Sequence, residues 1–383
     1  MRFFHLSDLH IGRHLHGYSL LEQQKQVLGQ VLRWAEEKKP DAIVIAGDIY
    51  DKVSPSGEAV LLFDWFLTEL SLLRPQIPLL LISGNHDSSM RLKYASELMK
   101  KNRIYVAART PEGQEEHLQK LTLTDGYGPV HFYLLPYVRP RAVRMATGEI
   151  HETGYQEAVA GLLARERPDW GERNVLISHQ FYTAGSWSPS VSDSESIHVG
   201  GLDNVDIEAV RRFDYVALGH LHSAQKVKEE HIRYCGSPMK YSVSEWKQPK
   251  GILLVTLGAK AEPLQLETLP LKPDRDVVRR RGTLEEVLSG GRSEDFISVT
   301  LTDEKERYQP RELLEEYFPF LLEIKVENSR TRNRISTGEE MKWEEDPMAA
   351  FEQFFQEMQG RAMSESERKI LEETVREAGE EEV

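Results

Sequence analysis

A chain of 383 residues with 40% hydrophobic and 29% charged side chains has the composition of a globular protein with room for more than one domain, not of a disordered or fibrous one. Its single cysteine, Cys235, excludes an intrachain disulfide framework and a thiolate metal cluster, and suits a reducing compartment such as the cytoplasm. The net charge of −14 is unevenly spread: residues 339–383 hold fifteen Asp/Glu and five Lys/Arg, so the rest of the chain carries only −4 and a polyanionic partner is not excluded.

Residues 3–6 predict a strand close to the first residue, so a cleavable leader is not expected. No apolar run approaches the roughly 20 residues that span a bilayer, and no membrane partner is expected. The spacing of Leu20, Val27, Leu28, Val31, Leu32 and Ala35 predicts a helix, with Gln24 as a polar exception on its apolar stripe and Lys38-Lys39-Pro40 as its stop. Residues 42–46 read as a strand, 59–73 as a helix, 79–82 as a strand and 88–100 as a helix, an alternation that predicts an α/β layered core. After a polar loop at 111–117, a hairpin is expected at 121–124 and 130–135 around Asp125-Gly126-Tyr127-Gly128-Pro129. Strands follow at 175–178, 215–218, 232–235 and 252–257, with a long Ser/Gly/Asp-rich loop over 183–204. Composition shifts near 270–274. A strand, helix and strand are then expected at 296–301, 310–317 and 321–326, followed by an arginine-bearing connector and two helical patterns at 347–358 and 364–378.

Five short motifs rich in His and Asp each follow an apolar run: Asp8-Leu9-His10, Gly47-Asp48-Ile49-Tyr50-Asp51, Gly84-Asn85-His86-Asp87, Ser178-His179-Gln180 and Gly219-His220-Leu221-His222. Each places candidate ligands where a buried strand opens into a loop. In Asp8-x-His10, extended residues two apart face one side and reach one ion. The same spacing relates His220 and His222, although a turn there would divide them between two ions. Gly47, Gly84 and Gly219 precede ligands, as tight and closely packed turns require. Carboxylate, amide and imidazole donors suit divalent ions, and a carboxylate can bridge two of them where imidazole cannot. Two ions about 3.5 to 4 Å apart supply a nucleophile near neutral pH and neutralise charge on a phosphoryl transition state. Each motif alone is a common surface feature; the five in order point to a two-metal phosphoesterase centre.

The motif set resembles the calcineurin-like metallophosphoesterases, and its details are similar to the nuclease subunits of bacterial SbcCD complexes, relatives of the nuclease in eukaryotic and archaeal double-strand-break repair. Tyr234-Cys235-Gly236-Ser237-Pro238, Tyr241-Ser242-Val243-Ser244-Glu245 and Lys250-Gly251 add to the likeness, and taken alone read as a tight turn between two strands. The resemblance implies a four-layer α/β sandwich flanked by helices over residues 1–272, a small α+β capping domain over 276–337 that holds DNA, and a helical segment over 341–383 that docks on the SbcC ATPase. It implies that Asp8, His10, Asp48 and His222 hold one ion, and Asp48, Asn85, His179 and His220 the other, with Asp48 shared. His86 would contact the scissile phosphate or protonate the leaving alkoxide, and Asp87 would orient the His86 imidazole. The implied activity is exonuclease action on duplex ends and endonuclease action on single strands or hairpins, in DNA repair, recombination and replication, by a homodimer that forms a heterotetramer with SbcC. Manganese is the expected ion, with iron and zinc as alternatives. The likeness is weakest over 139–174 and in the last 40 residues.

Other features admit two readings. Arg13 and His14, just after the first motif, either meet substrate phosphate or are solvated loop residues. Arg139, Arg141 and Arg144, Arg279 to Arg281, and Arg330, Arg332 and Arg334 are exposed charge on their own; the resemblance turns Arg280 and Arg332 into DNA contacts. Phe351, Phe354, Phe355 and Met358 form an apolar stripe that either docks on the partner or packs on this chain, and Ile370, Leu371 and Val375 form another. Leu61, Leu62, Trp65 and Phe66 with Tyr94 and Leu98 either bury against the sheet or make a dimer contact. His5 is assigned to sheet packing, and Asp51 to support behind the ligands or to a turn cap. The alternative function is a metallophosphatase or phosphodiesterase acting on a non-DNA substrate; the intact ligand set and His86 argue against a non-catalytic DNA clamp.

Overall fold

The computed structural model describes residues 1–147, 154–195, 203–304, 310–328, 352, 355, 361–369 and 371. Ala42–Ala46 and Leu79–Ile82 are apolar and buried at every position, the pattern of strands covered on both faces. They lie in a six-stranded sheet ordered Gln265–Pro270, Gly251–Thr256, Arg2–Leu6, Ala42–Ala46, Leu79–Ile82, Ile104–Ala107. A second six-stranded sheet runs Gln225–Val227, Glu229–Tyr234, Tyr215–Leu218, Arg173–Ser178, Gly128–Leu135, Gln119–Asp125. Arg2–Leu6, Ala42–Ala46 and Leu79–Ile82 pair in parallel, as do Arg173–Ser178 and Tyr215–Leu218.

Three apolar cores separate four layers. Between the sheets, Phe3, Val44 and Leu80 meet Phe132, Val175 and Tyr215, with Phe3 edge-on to Phe132 and Tyr215 at centroid distances of 5.4 and 5.7 Å. Phe4, Ile43 and Leu79 on the first sheet's outer face share a core with Val27, Leu28 and Val31 of helix Leu21–Lys38 and Phe63 and Phe66 of helix Gly57–Leu72. Ser56 caps the second of these helices by accepting from the Ala59 amide. Tyr133, Leu176 and Val216 are covered by Val143 of helix Pro140–Thr147 and by Ala158, Val159 and Leu162 of helix Tyr155–Glu166. Alternating side chains along each strand thus feed two different cores, and the expected α/β four-layer sandwich is present.

One expected helix is two. Residues 88–100 form Ser89–Lys93 and Ser96–Lys100, broken where Ala95 takes a left-handed φ of 57°. Leu92 is the one buried residue in the pair, so no continuous apolar stripe holds a longer helix together.

Beyond the sandwich, Val277–Gly282, Phe296–Leu301 and Leu321–Val326 form a three-stranded sheet with helices Leu284–Ser289 and Pro310–Tyr317. Thr283 and Glu286 close a reciprocal capping box at the first helix. Leu284, Val287, Ile297, Val299, Leu314 and Phe318 build a core within this cap, whereas Val277, Phe296 and Leu322 join the core of the first sheet. Tyr18 meets Phe296 and Phe320 at 6.1 and 5.5 Å between ring centres. The chain divides into two compact units, Met1–Lys325 and Val326–Val383, so the cap strands belong largely to the unit that holds the sandwich. In the second unit Arg361 pairs with Glu367 at 2.8 Å and Arg368 with Glu352 at 2.8 Å. Arg332, Phe351, Phe354 and Met358 lie outside the described residues, as does the expected boundary at 337–341. No helix among the described residues is long and apolar enough to cross a membrane.

Candidate metal centre

All five motifs begin within three residues of the C-terminal end of a parallel-paired strand: Leu6, Ala46, Ile82, Ser178 and Leu218. Ligand sites of open α/β sheets form at this edge because the loops there diverge from aligned strands. His5 ties the two sheets together just behind the site. Its Nε2–H donates to the Leu218 carbonyl at 3.1 Å, and its Nδ1 accepts from the Tyr215 hydroxyl at 3.0 Å, as its assignment to sheet packing expects.

The turns are too crowded for side chains. A Cβ at Gly219 would overlap the Ala46 carbonyl oxygen, and one at Gly84 would overlap the Asp48 carboxylate. Four proposed ligands sit in left-handed backbone: Asp8 at φ 52°, His10 at 42°, Asp48 at 49° and His220 at 101°. Non-glycine residues held there store about 1 to 3 kcal/mol each and concentrate at functional sites.

The side chains converge. His222 Nε2 lies 3.2 Å from His10 Nε2, which lies 3.6 Å from Asp48 Oδ2. On the other side of Asp48, His179 Nε2 is 3.2 Å from Oδ2 and 3.1 Å from Asn85 Oδ1, which is 3.3 Å from His220 Nδ1. Asp8 accepts the His220 amide at 2.9 Å and groups with His10 and His222, and with Asp48 and His179.

The proton inventory calls for a cation. His179 donates Nδ1–H to the Ala46 carbonyl at 2.7 Å, so in the neutral ring Nε2 is a lone pair facing two acceptor oxygens. The Nε2 atoms of His10 and His222 face each other at 3.2 Å, a gap one N–H can bridge, and His10 Nδ1 is then buried without a hydrogen-bond partner. A divalent ion at the His179 Nε2 lone pair removes the conflict there, and imidazole, amide and carboxylate donors are a set such ions take, so the residues fit the group that the motifs imply. Without ions, protons serve: burial pulls the His179 imidazole down, but the Asp48 and Asp8 carboxylates lift it to about 9. Burial, reinforced by Asp48, raises the Asp8 carboxyl to about 7. Asp48 itself is buried, yet His179, His10 and His86 hold it well below the usual carboxylate range. Burial, then His179, lowers His220 to about 3.

His86 stands at the wall of an open groove of about 720 Å³ lined also by Arg13, His14, Asp51, Lys52, Val53 and Asn85. Its Nδ1–H donates to the Asp51 carbonyl at 2.9 Å and its amide to Asp48 Oδ1 at 2.9 Å. Asp87 does not orient this imidazole, contrary to expectation. It turns inward and accepts the Gly84, Ile49 and Tyr50 amides at 2.9, 3.1 and 3.0 Å, because three orphan N–H groups of two neighbouring turns need an acceptor there.

Residues 1–224 match the family model described as calcineurin-like phosphoesterase, and residues 273–359 match one described as type 5 capsule protein repressor C-terminal domain. The chain is 33% identical over 332 residues to the SbcD subunit of nuclease SbcCD from Staphylococcus epidermidis, covering 85% of each chain. It is also 33% identical over 290 residues to the SbcD subunit of nuclease SbcCD from Staphylococcus saprophyticus, covering 75% of this chain and 73% of that one. The chain belongs to the SbcD family of calcineurin-like phosphoesterases.

In this SbcD family member, the remaining expected site residues divide by location. Arg13 is at the groove, bound to Asp51 at 3.0 Å and to the Ser194 carbonyl at 3.3 Å. His14 lines the groove beside it. Arg280 is half-buried and turned onto its own unit: its guanidinium donates to the Val287 and Gly291 carbonyls at 3.2 and 3.1 Å and lies 4.8 Å from the Phe318 ring centre. Its strand is paired into the cap sheet, which turns this side chain onto the cap's own helices. Three polar residues to which the sequence alone assigns no role stand behind the candidate ligands. Gln24 holds the first ligand loop, and Glu245 and Lys250 form a buried ion pair at 2.6 Å beside His222. The sequence signal of Gln24 is polarity on an apolar stripe, and that of Glu245 and Lys250 is their place in the family-like stretch.

Proposed function

We propose that this chain is the nuclease subunit of an SbcCD-type complex and hydrolyses DNA phosphodiester bonds with two divalent metal ions, manganese being the best suited. The observation that carries this reading is the convergence of the His10 and His179 Nε2 atoms on Asp48, with His222 Nε2 3.2 Å from that of His10, beside His86 on an open, basic-lined groove. Asp8, His10, Asp48 and His222 hold one ion; Asp48, Asn85, His179 and His220 hold the other. When bound, the pair supplies a nucleophile near neutral pH and neutralises charge at the phosphorus. The oxygen, amide and imidazole donor set, with no thiolate among its groups, favours manganese.

The chain's own groups handle orientation and protons. With Nδ1–H committed to the Asp51 carbonyl, Nε2 is the His86 atom left for the substrate, and in the imidazolium form its N–H bonds a phosphate oxygen or passes a proton to the leaving alkoxide. Asp87 fixes the turn that carries His86, acting through backbone amides. Arg13, His14 and Lys52 line the approach, where cationic groups position a phosphate backbone.

The relatives' name supports assembly into a complex with a second protein, and the reading extends to an SbcC-type ATPase in the cytoplasm, with residues 276–337 as a DNA cap and 341–383 as the docking segment. A homodimer within a heterotetramer fits the exposed apolar side chains of Leu61, Tyr94 and Leu98, which are 68%, 80% and 62% exposed. Leu62 and Phe66 belong to the interior core instead. The test is cleavage of a labelled hairpin and of duplex ends in Mn²⁺, Mg²⁺ and Zn²⁺, with and without the ATPase. Manganese-dependent cleavage stimulated by the ATPase and ATP is expected; turnover of simple phosphomonoesters with DNA left intact would overturn the reading in favour of a phosphatase.

A further inference from the structure

Every polar atom of His222 except Nε2 is claimed by a fixed partner. Its amide donates to Glu195. Its carbonyl accepts from Lys250 Nζ at 2.7 Å and from the Ser237 amide at 3.1 Å. Ser194 Oγ lies 2.7 Å from Nδ1 and donates its own proton to Glu245 Oε1 at 2.6 Å. A hydroxyl has one proton to give, so Ser194 accepts at its other side, which makes His222 Nδ1 the protonated nitrogen and Nε2 the lone pair.

The partners close a ring. Glu245, fully buried, is paired with Lys250 at 2.6 Å, and Lys250 returns to the His222 carbonyl. Lys250 is also bound by Ser237 Oγ at 2.8 Å and Gln248 Oε1 at 2.9 Å. The ring therefore runs from imidazole to Ser194, Glu245 and Lys250 and back to the backbone of the same histidine. Buried charges are retained where each has a partner of good geometry, and leaving one unpaired is strongly destabilising. Groups behind a metal-ligating histidine fix its tautomer and its direction.

We infer that Ser194, Glu245 and Lys250 are positioning residues that present the Nε2 lone pair of His222 to its metal ion. The inference rests on the two-metal reading above and adds to it the device that sets one ligand. Ser194 is the joint to test, because Ser194→Ala removes the relay while leaving the Glu245–Lys250 pair intact. Ser194→Thr keeps the hydroxyl and serves as the rescue.

The test is Mn²⁺ binding to the full chain without DNA, followed by electron paramagnetic resonance, with thermal unfolding in EDTA as a control for folding. Ser194→Ala is expected to weaken the affinity of one of two ions roughly ten- to hundred-fold, the range seen when groups behind a ligand are removed. Ser194→Thr is expected to restore it, and the DNA KM of Ser194→Ala at saturating Mn²⁺ is expected to stay at the parent value. Glu245→Gln, folded by the same control, is expected to show the same selective loss. Unchanged affinity for both ions in folded Ser194→Ala and Glu245→Gln would overturn the inference, as would equal losses in the alanine and threonine variants. Two ions bound by the parent chain with no DNA cleavage would defeat the nuclease reading and leave this inference standing.

Discussion

Gln24 donates its side-chain amide to the His10 carbonyl at 2.7 Å, from a helix whose other inward positions are mostly apolar. The same amide reaches the Leu9 carbonyl at 3.2 Å, and its oxygen accepts the Gly12 amide at 3.0 Å. Three backbone groups of a buried loop are thereby satisfied by one side chain. Gln24→Leu keeps the volume and strands those groups, at roughly 1 to 3 kcal/mol. Gln24→Glu is expected to be at least as damaging, since a carboxylate cannot donate to either carbonyl. Urea denaturation in EDTA gives the stability loss, and Mn²⁺ titration is expected to show weaker binding in both variants.

His86 and Asp87 are neighbours with opposite jobs, and their variants should separate. His86→Ala is expected to lower kcat about 10²- to 10⁴-fold, the range for loss of a positioned proton donor or acceptor, with Mn²⁺ binding and melting temperature near the parent values. Asp87→Ala leaves three buried amides without an acceptor and is expected to lower the melting temperature markedly. Paired unfolding and turnover measurements check both. Equal melting temperatures for the two variants would contradict the inward role of Asp87.

Ions and protons compete for the same centre. In the ion-free chain Asp8 is raised from 3.8 to about 7 by burial and then by Asp48. His179 is pulled down by burial but carried from 6.5 to about 9 by Asp48 and Asp8. The folded chain therefore keeps protons that the unfolded chain has released. Stability from His179 is complete below about 6.5 and is lost as pH rises through about 9, while Asp8 lowers stability progressively between about 4 and about 7. Metal ions displace these protons, so Mn²⁺ affinity should rise with pH across the same windows. Calorimetric titrations in two buffers of different ionisation enthalpy are expected to show net proton release and tighter binding at about pH 8 than at about pH 6.

Arg280 is tied to the cap's own carbonyls and to the Phe318 ring. Arg280→Ala is expected to cost about 1 kcal/mol of stability and to leave the salt dependence of DNA binding unchanged. Removing a phosphate contact would instead lower that slope by about 1. Arg13→Ala, at the groove, is the contrasting variant.

The parallel strands and the candidate ligands at their ends are legible because their signals are local: an apolar run ending in Gly-Asp or Gly-Asn-His is visible within about ten residues. What joined Asp8 to His220 or His179 to Asn85 was not, since those pairs are brought together by sheet order rather than by spacing. The resemblance to a known family supplied the division into two ion sites. Val277–Gly282 hid behind three consecutive arginines, and Gln265–Pro270 behind the polar surface of an edge strand. Residues 88–100 carry helix formers, but most of their side chains face solvent, and propensity alone did not keep one helix. Adjacency of Asp87 to His86 suggests contact, whereas the backbone turn gives the two side chains different partners. Glu245 and Lys250 fall in a stretch that adds to the family likeness, but their role is not legible there, as their partner, His222, is more than twenty residues upstream.

The shared role of Asp48 is tested most directly by an anomalous-difference map from crystals soaked in Mn²⁺. Two peaks about 3.5 to 4 Å apart, with Asp48 between them, His10 and His222 on one and Asn85 and His179 on the other, are the expected result. A single peak, or manganese away from Asp48 at saturating concentration, would contradict it.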